Sequence, residues 1–288
     1  MELDIRNVSK LYNKTYAVKN ANVHMEKGIY GLLGANGAGK TTLMSMISSL
    51  VRPDRGSIVF NGRNINDMGD SYRTSIGYMP QDFGCYKEFK IIDFLRYIAL
   101  LKAVKGNDID KQVKEVLNLV NLEKCTKKHF YELSGGMKKR LGIAQALLGN
   151  PQILIFDEPT AGLDPKERVR FRSVISDISK NRIVLISTHI LSDIEYLSNR
   201  LLIMDSGKLQ DMGEMGQAFA NIEGKVWECN KNELNEKIIS SSIICNTKVN
   251  NDGQQIVRLI NEVQPVLSAM RVYETLEDLY LYLVGGEQ

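Results

Sequence analysis

The chain has 288 residues, 43% hydrophobic and 25% charged, proportions that exclude a disordered or collagen-like chain and suggest one large domain plus a smaller one. Lys and Arg number 37 against 34 Asp and Glu, a net charge of +3, which is too small an excess to point to nucleic acid as the partner. The longest apolar run, residues 279–284, falls far short of the roughly 18 residues a membrane helix needs. No basic-then-apolar leader opens the chain, and the four scattered cysteines (Cys85, Cys125, Cys229, Cys245) form no C-x-x-C pair, so a soluble protein of a reducing cytoplasm is expected.

Residues 3–33 alternate short apolar stretches (3–5, 17–18, 23–25 and 29–33) with turn-formers, which predicts strands. The glycine-rich loop that follows leads into a predicted helix over 42–50, with Leu43, Met46, Ile47 and Leu50 at helical spacing. Pro53, Asp54, Arg55 and Gly56 read as a turn and 57–60 as a strand. Over 91–104, Ile91, Phe94, Leu95, Ile98 and Leu101 share one helical face, and 113–120 repeats that periodicity, so a helical block precedes Ser134. From Pro151 the pattern changes to short continuous apolar runs at 153–156, 183–186 and 201–204, separated by helical segments, as in buried parallel strands of βαβ units. After Gly213 and Gly216, strands are predicted at 225–229, 243–249 and 255–260. A last helix carries Leu276, Leu279, Tyr280 and Leu283, with Thr275 and Asp278 as its capping box. The expected organisation is a domain over 1–213, with a helical subdomain at about 85–150, and a small domain over 214–288.

Gly34, Ala35, Asn36, Gly37, Ala38, Gly39, Lys40 and Thr41 fit G-x-x-x-x-G-K-[ST], placed between an apolar strand and a helix. The glycines let backbone amides close around phosphates, and the helix N-terminus adds positive potential. Lys40 can reach the β- and γ-phosphates and the Thr41 hydroxyl can hold Mg²⁺, which identifies a nucleoside triphosphate site continuing into Thr42. The apolar run 153–156 ends in Asp157 and Glu158. Asp157 can present its carboxylate to Mg²⁺; Glu158, on an extended chain, would point to the opposite face and is the candidate general base.

Leu133, Ser134, Gly135, Gly136 and Met137, taken with the phosphate loop, Asp157-Glu158-Pro159-Thr160, Gly162-Leu163-Asp164 and Ser187-Thr188-His189, resemble an ABC-type ATPase over residues 1 to about 213. The run Ser-Gly-Gly-Met-Lys-Lys-Arg-Leu from Ser134, and Leu276-Glu277-Asp278 in the last helix, are similar to bacterial ABC-2-type exporter ATPases, a group that includes antibiotic and bacteriocin export or self-protection systems. Met137 departs from the Gln of many ABC ATPases but is frequent in that group. The resemblance implies an α/β P-loop NTPase core with an antiparallel β subdomain, a helical subdomain and a small C-terminal α+β domain. It also implies ATP as the nucleotide. Tyr12 would stack on adenine, Gln81 would contact Mg²⁺ and the attacking water, and His189 would contact the γ-phosphate and position Glu158. Ser134, Gly135 and Gly136 would bind the γ-phosphate of ATP held by a second subunit, and Asp164 would cross that dimer interface. Ser134 and Asp164 could equally serve as plain helix N-caps.

By the same resemblance the chain would work head to tail, as a homodimer or a pseudo-symmetric heterodimer, docked on a separate transmembrane permease at the inner face of the cell membrane. Residues 82–89, with Phe83 and Tyr86, are the expected contact with that permease, the alternative being that these rings anchor the helical block, and Lys138, Lys139 and Arg140 are expected to form a solvated or interdomain face rather than a nucleic-acid patch. No heptad insertion separates Thr41 from Leu133, as a DNA-repair ATPase would need, and only one cassette is present, unlike a ribosome-acting protein. A nucleotide-dependent soluble regulator that does not drive transport is the alternative. Resemblance to the ABC-2 exporter group implies export as the direction of transport.

Overall fold

The computed structural model describes residues 1–285 and divides into two compact units, Met1–Met212 and Gly213–Gln288. The last three residues of the expected 214–288 domain lie outside the described residues.

In the first unit β1 (Leu3–Tyr12) and β2 (Thr15–Met25) form a hairpin, and β3 (Gly28–Leu33) runs through a loop into α1 (Lys40–Ile47). Then come β4 (Arg55–Phe60), β5 (Arg63–Asn64), the short helices α2 (Ile65–Met68) and α3 (Asp70–Thr74), and β6 (Ile76–Met79). The helical block is α4 (Ile91–Leu101), α5 (Gly106–Leu119) and α6 (Gly135–Leu147). Strands and helices then alternate through β7 (Ile153–Asp157), α7 (Pro165–Ser179), β8 (Ile183–Ser187), α8 (Leu191–Leu197), β9 (Arg200–Asp205) and β10 (Lys208–Glu214). One sheet is antiparallel, in the order β2-β1-β4-β5. The other has the order β10-β9-β3-β8-β7-β6, with β9, β3, β8, β7 and β6 mutually parallel.

A strand turns successive side chains to opposite faces, and that period sorts the central sheet into two cores. Leu154 and Phe156 of β7, with Val184 and Ile186 of β8, pack against the helical side through Leu95, Leu141 and Phe171. Ile153, Ile155, Ile183 and Leu185 pack against Leu43 and Ile47 of α1 and Ile58 and Phe60 of the antiparallel sheet. All eight strand residues are at most 3% exposed, and each such burial contributes roughly 1.5–3 kcal/mol. The expected buried parallel strands are therefore present, and their polar ends emerge together at Asp157 and Ser187. In the helical block α5 buries Ile109, Val113, Val116 and Leu117, a single stripe at helical spacing.

The sequence reading named no counterpart for β5, α2, α3 or β10, and two further elements of this unit differ from expectation. The helix predicted over 42–50 runs from Lys40 to Ile47. Its C-terminus stops early because Ser48 Oγ donates back to Met44 O at 2.8 Å and Ser49 turns left-handed at φ +59°. β6 has no counterpart in the sequence reading because Gly77 interrupts its apolar pattern. A Cβ there would lie 2.0 Å from Ala146 O, so the glycine is what lets α6 press against the strand.

The second unit carries α9 (Met215–Ala218), β11 (Val226–Asn230), α10 (Glu236–Ser240), β12 (Ile243–Val249), β13 (Gln255–Ile260), β14 (Met270–Arg271) and α11 (Leu276–Gly285). Its antiparallel sheet, in the order β12-β13-β11-β14, buries Trp227, Cys229, Val257 and Leu259. The expected capping box forms: Asp278 Oδ2 accepts from Thr275 N at 2.7 Å and Thr275 Oγ1 accepts from Asp278 N at 3.3 Å. Arg258 Nη2 adds an ion pair to Asp278 Oδ2 at 2.6 Å, where Asp278 is 1% exposed. Burial pushes the Asp278 carboxyl up, but hydrogen bonds from Arg258 and Thr275 outweigh it and hold the group below the ordinary aspartate value. Among the described residues no helix is long and apolar enough to cross a membrane.

Candidate functional site

The loop 34–39 connects the C-terminal end of β3 to the N-terminus of α1. Gly39 makes the turn at φ +109°, and a Cβ on it would lie 2.0 Å from Ala17 O of β2, so no side chain fits where loop and strand meet. Beside the loop lies a cavity of about 290 Å³ lined by Ala17, Asn36, Gly37, Gly39, Lys40, Thr41, Thr42, Gln81, Asp157 and Glu158. Nine of these ten belong to the expected site; Ala17 does not, and its signal in the sequence would have been only that a small residue must face the loop. Gly34, Ala35 and Ala38 complete the loop, with Ala38 N bonded to Ala35 O at 3.2 Å.

Lys40 is buried with its ammonium turned into the loop, donating to Gly34 O at 2.7 Å and Ala35 O at 3.0 Å. Burial pushes that ammonium below the usual lysine value, while the charges of Glu158 and Asp157 oppose the shift. Asp157, 1% exposed, accepts from Thr41 Oγ1 at 2.8 Å through Oδ2 and from Ser187 Oγ at 2.5 Å through Oδ1. Ser187, which sequence reading used only as part of a motif, thus fixes the carboxylate that faces α1. A polar residue closing an apolar strand beside a strand-end Asp was the available sign.

Glu158 corrects the extended geometry expected of it. Its φ is +49°, so the chain turns left-handed immediately after β7 and both carboxylates line the one cavity instead of opposite faces. The turn is held by the Glu158 N–H, which donates to Ser187 O and Ser187 Oγ, each at 3.1 Å. Glu158 Oε2 lies 2.8 Å from His189 Nδ1, and the Glu158 side chain is 6% exposed against 61% for His189. The imidazole is therefore the solvent-facing half of the pair.

The basic run at 138–140, expected on a solvated or interdomain face, is half-buried and directs its charges to neighbouring segments. Lys138 Nζ sits 5.2 Å from the Phe130 ring centroid, and Arg140 Nη1 donates to Val120 O and Asn121 O at 3.1 Å each. Lys139 turns inward and donates to Gln81 O at 3.0 Å and Glu158 O at 3.1 Å. Phe83 follows the alternative reading and anchors the helical block, edge-on to Phe94 at 5.9 Å and Phe130 at 6.0 Å. Tyr86 is 75% exposed, beside an apolar cavity of about 440 Å³ that also touches Gly84, Cys85, Phe89, Phe94 and Tyr97.

Other expected site residues lie apart from the cavity lining. Ser134 is the N-cap of α6, accepting from Met137 N at 3.2 Å, and leaves Gly135 and Gly136 in the helix's first turn. Asp164 is the N-cap of α7, accepting from Glu167 N at 2.8 Å ahead of Pro165. Tyr12 is 48% exposed, with Lys10 Nζ 5.7 Å from its ring centroid.

The profile of the ABC transporter family matches residues 18–161. The Nod factor export ATP-binding protein I of Cupriavidus metallidurans (strain ATCC 43123 / DSM 2839 / NBRC 102507 / CH34) is 31% identical, covering 99% of this chain and 98% of its own. The methionine import ATP-binding protein MetN 2 of Bacillus cereus is also 31% identical, over 92% of this chain and 82% of its own. A solved ATP-binding subunit of an ABC transporter superposes with a TM-score of 0.71 at 26% identity, covering 77% of this chain and 94% of that one.

Proposed function

The chain belongs to the ABC transporter family as an ATP-binding, ATP-hydrolysing subunit, and from that premise we propose that two such subunits close head to tail around two ATP molecules and drive a separate transmembrane permease. The observation that carries the reading is the hydrogen-bonded chain from Thr41 through Asp157 and Ser187 to Glu158 and His189, set around one cavity beside Lys40.

In this reading the phosphates of ATP lie along the loop 34–39 and the α1 N-terminus, with Lys40 exchanging its loop carbonyls for β- and γ-oxygens. Tyr12 stacks on the adenine. The Thr41 hydroxyl and Asp157 carboxylate are adjacent hard oxygen donors, and Gln81 lines the same cavity. Among the described residues no group of three or more His, Cys, Asp or Glu could hold a metal, so this donor set fits an ion that keeps waters and phosphate oxygens, as Mg²⁺ does. Bound there, Mg²⁺ would neutralise charge on the phosphates. Glu158 takes a proton from the water that attacks the γ-phosphorus, the β–γ bridging oxygen leaves with ADP, and His189 fixes the carboxylate that accepts the proton.

By resemblance to the signature segment of ABC ATPases, Ser134, Gly135 and Gly136, which lie outside the cavity lining beside Lys40, bind the γ-phosphate of ATP held by a second subunit, across an interface that Asp164 enters. Exposed Tyr86 and its apolar cavity supply the permease contact at the membrane's inner face. Outward transport rests on the signature segment's resemblance to ABC-2 exporters and on the Nod factor export relative; the import relative is equally identical, so the signature is what favours export. Glu158→Gln is expected to slow ATP turnover by roughly 10² to 10⁴ and to elute as a dimer in ATP and Mg²⁺. Near-normal turnover by that variant would remove Glu158 from the role of base.

A further inference from the structure

Lys139 lies in the second turn of α6, yet its side chain runs toward the polar ends of β6 and β7. Its ammonium bridges two backbone carbonyls, those of Gln81 at 3.0 Å and Glu158 at 3.1 Å, which belong to segments following adjacent parallel strands. The Glu158 contact bears on a strained residue. A non-glycine residue in the left-handed region is disfavoured by roughly 1–2 kcal/mol and persists only where its surroundings hold it. Ser187 holds the peptide group on the amino side of Glu158, and Lys139 holds the one on its carboxyl side. With both peptide planes fixed, the carboxylate has its direction set toward His189.

Neighbouring groups divide the labour. Arg140 ties α6 to the α5 end and lies 3.1 Å from Glu167 of α7, so it carries the structural attachment of the helix. Lys139 is half-buried; burial pushes its ammonium below the usual lysine value, and Asp82, Glu158 and Asp157 oppose that shift. Holding a long cationic side chain in such a place is opposed by desolvation, and in return it ties together the two segments that supply the Gln81 and Glu158 side chains.

We propose that Lys139 is a positioning residue for ATP hydrolysis, fixing the backbones of Glu158 and Gln81 so that both side chains face one cavity. The proposal rests on the reading of Glu158 as general base. Because α6 also begins at Ser134, the same residue makes the setting of Glu158 depend on where that helix sits.

The test uses the full chain and compares Lys139→Met with Lys139→Gln. Methionine keeps the apolar stem and removes the donors, whereas glutamine keeps two N–H donors on one nitrogen. Lys139→Met is expected to lower kcat by about 10- to 100-fold, with the KM for ATP within about twofold of wild type and the unfolding temperature unchanged. Lys139→Gln should recover most of the lost rate. A methionine variant with wild-type kcat, a loss confined to KM or thermal stability, or a glutamine variant no better than methionine would each overturn the proposal. Failure of the underlying reading looks different: Glu158→Gln would then turn over ATP as fast as wild type, whatever the Lys139 variants do.

Discussion

Ser187→Ala removes one oxygen atom from the end of β8, and its effect can be worked out bond by bond. The hydroxyl is fully buried; it donates to Asp157 Oδ1 at 2.5 Å and accepts from Glu158 N at 3.1 Å. Alanine keeps the backbone carbonyl of residue 187, which already accepts from Glu158 N at 3.1 Å, so the amide is not orphaned. Asp157 does lose a partner, and although Thr41 still donates to Oδ2 at 2.8 Å, Oδ1 is left buried without that hydrogen bond. A hydrogen bond to a charged group contributes about 1.5–3 kcal/mol, so the first unit should unfold with about 2 kcal/mol less stability in urea, read by circular dichroism at unchanged m-value. The freed carboxylate also loses its aim, and loss of such a supporting bond lowers metal affinity by about tenfold or more. The Mg²⁺ concentration giving half-maximal ATPase should rise accordingly. A variant within about 0.5 kcal/mol of wild type, with an unchanged Mg²⁺ requirement, would refute an orienting role for Ser187.

Three further outcomes are expected. Gly39→Ala puts a Cβ 2.0 Å from Ala17 O at a φ of +109°; it should destabilise by about 1–3 kcal/mol and abolish binding of a fluorescent ATP analogue, and normal affinity would show that the loop can move off β2. In the second unit the Asp278 carboxyl is lower in the fold than in the unfolded chain, so its stabilisation is complete above the ordinary aspartate pKa and drains away as pH falls below it toward the folded value. Trp227, the chain's single tryptophan, reports that unit; Arg258→Met, which leaves Asp278 buried without its cation, should cost about 3–5 kcal/mol at neutral pH and recover stability on acidification, and an unchanged acid transition would disprove the pairing. Tyr86→Ser should reduce co-purification with the membrane subunit by about tenfold, as expected for one aromatic anchor, and undiminished recovery would remove Tyr86 from that surface.

What could be read ahead of the structure was what depends on local order along the chain. The phosphate loop, the buried parallel strands at 153–156, 183–186 and 201–204, and the Thr275–Asp278 capping box are each written in consecutive residues, because strand burial, glycine turns and caps are local physics. The misreadings occur where tertiary contact decides. Glu158 was placed by extrapolating an extended strand, but Ser187, 29 residues downstream, bends it left-handed. Lys139 looks like any basic residue of a helix until β6 and β7 bring two carbonyls to its ammonium. Phe83 and Tyr86 are indistinguishable as loop aromatics, yet the packing of Phe94 and Phe130 takes one and leaves the other in water. β6 was hidden by Gly77, whose missing side chain serves α6 rather than the strand itself.

The two-faced β7 also bears on how such a chain can change. Leu154 and Phe156 belong to one core, Ile153 and Ile155 to the other, and Asp157 follows the odd-numbered set toward Thr41. Interchanging Ile, Leu and Val along this strand disturbs packing by a methyl group at a time. Adding or deleting a single residue between Ile153 and Asp157 instead moves each side chain beyond it to the opposite face, swapping the contents of both cores and turning the carboxylate away from α1 in one step. β7 can therefore drift in composition over time while its length stays locked, and tolerated insertions are to be sought in the connections around it rather than within it.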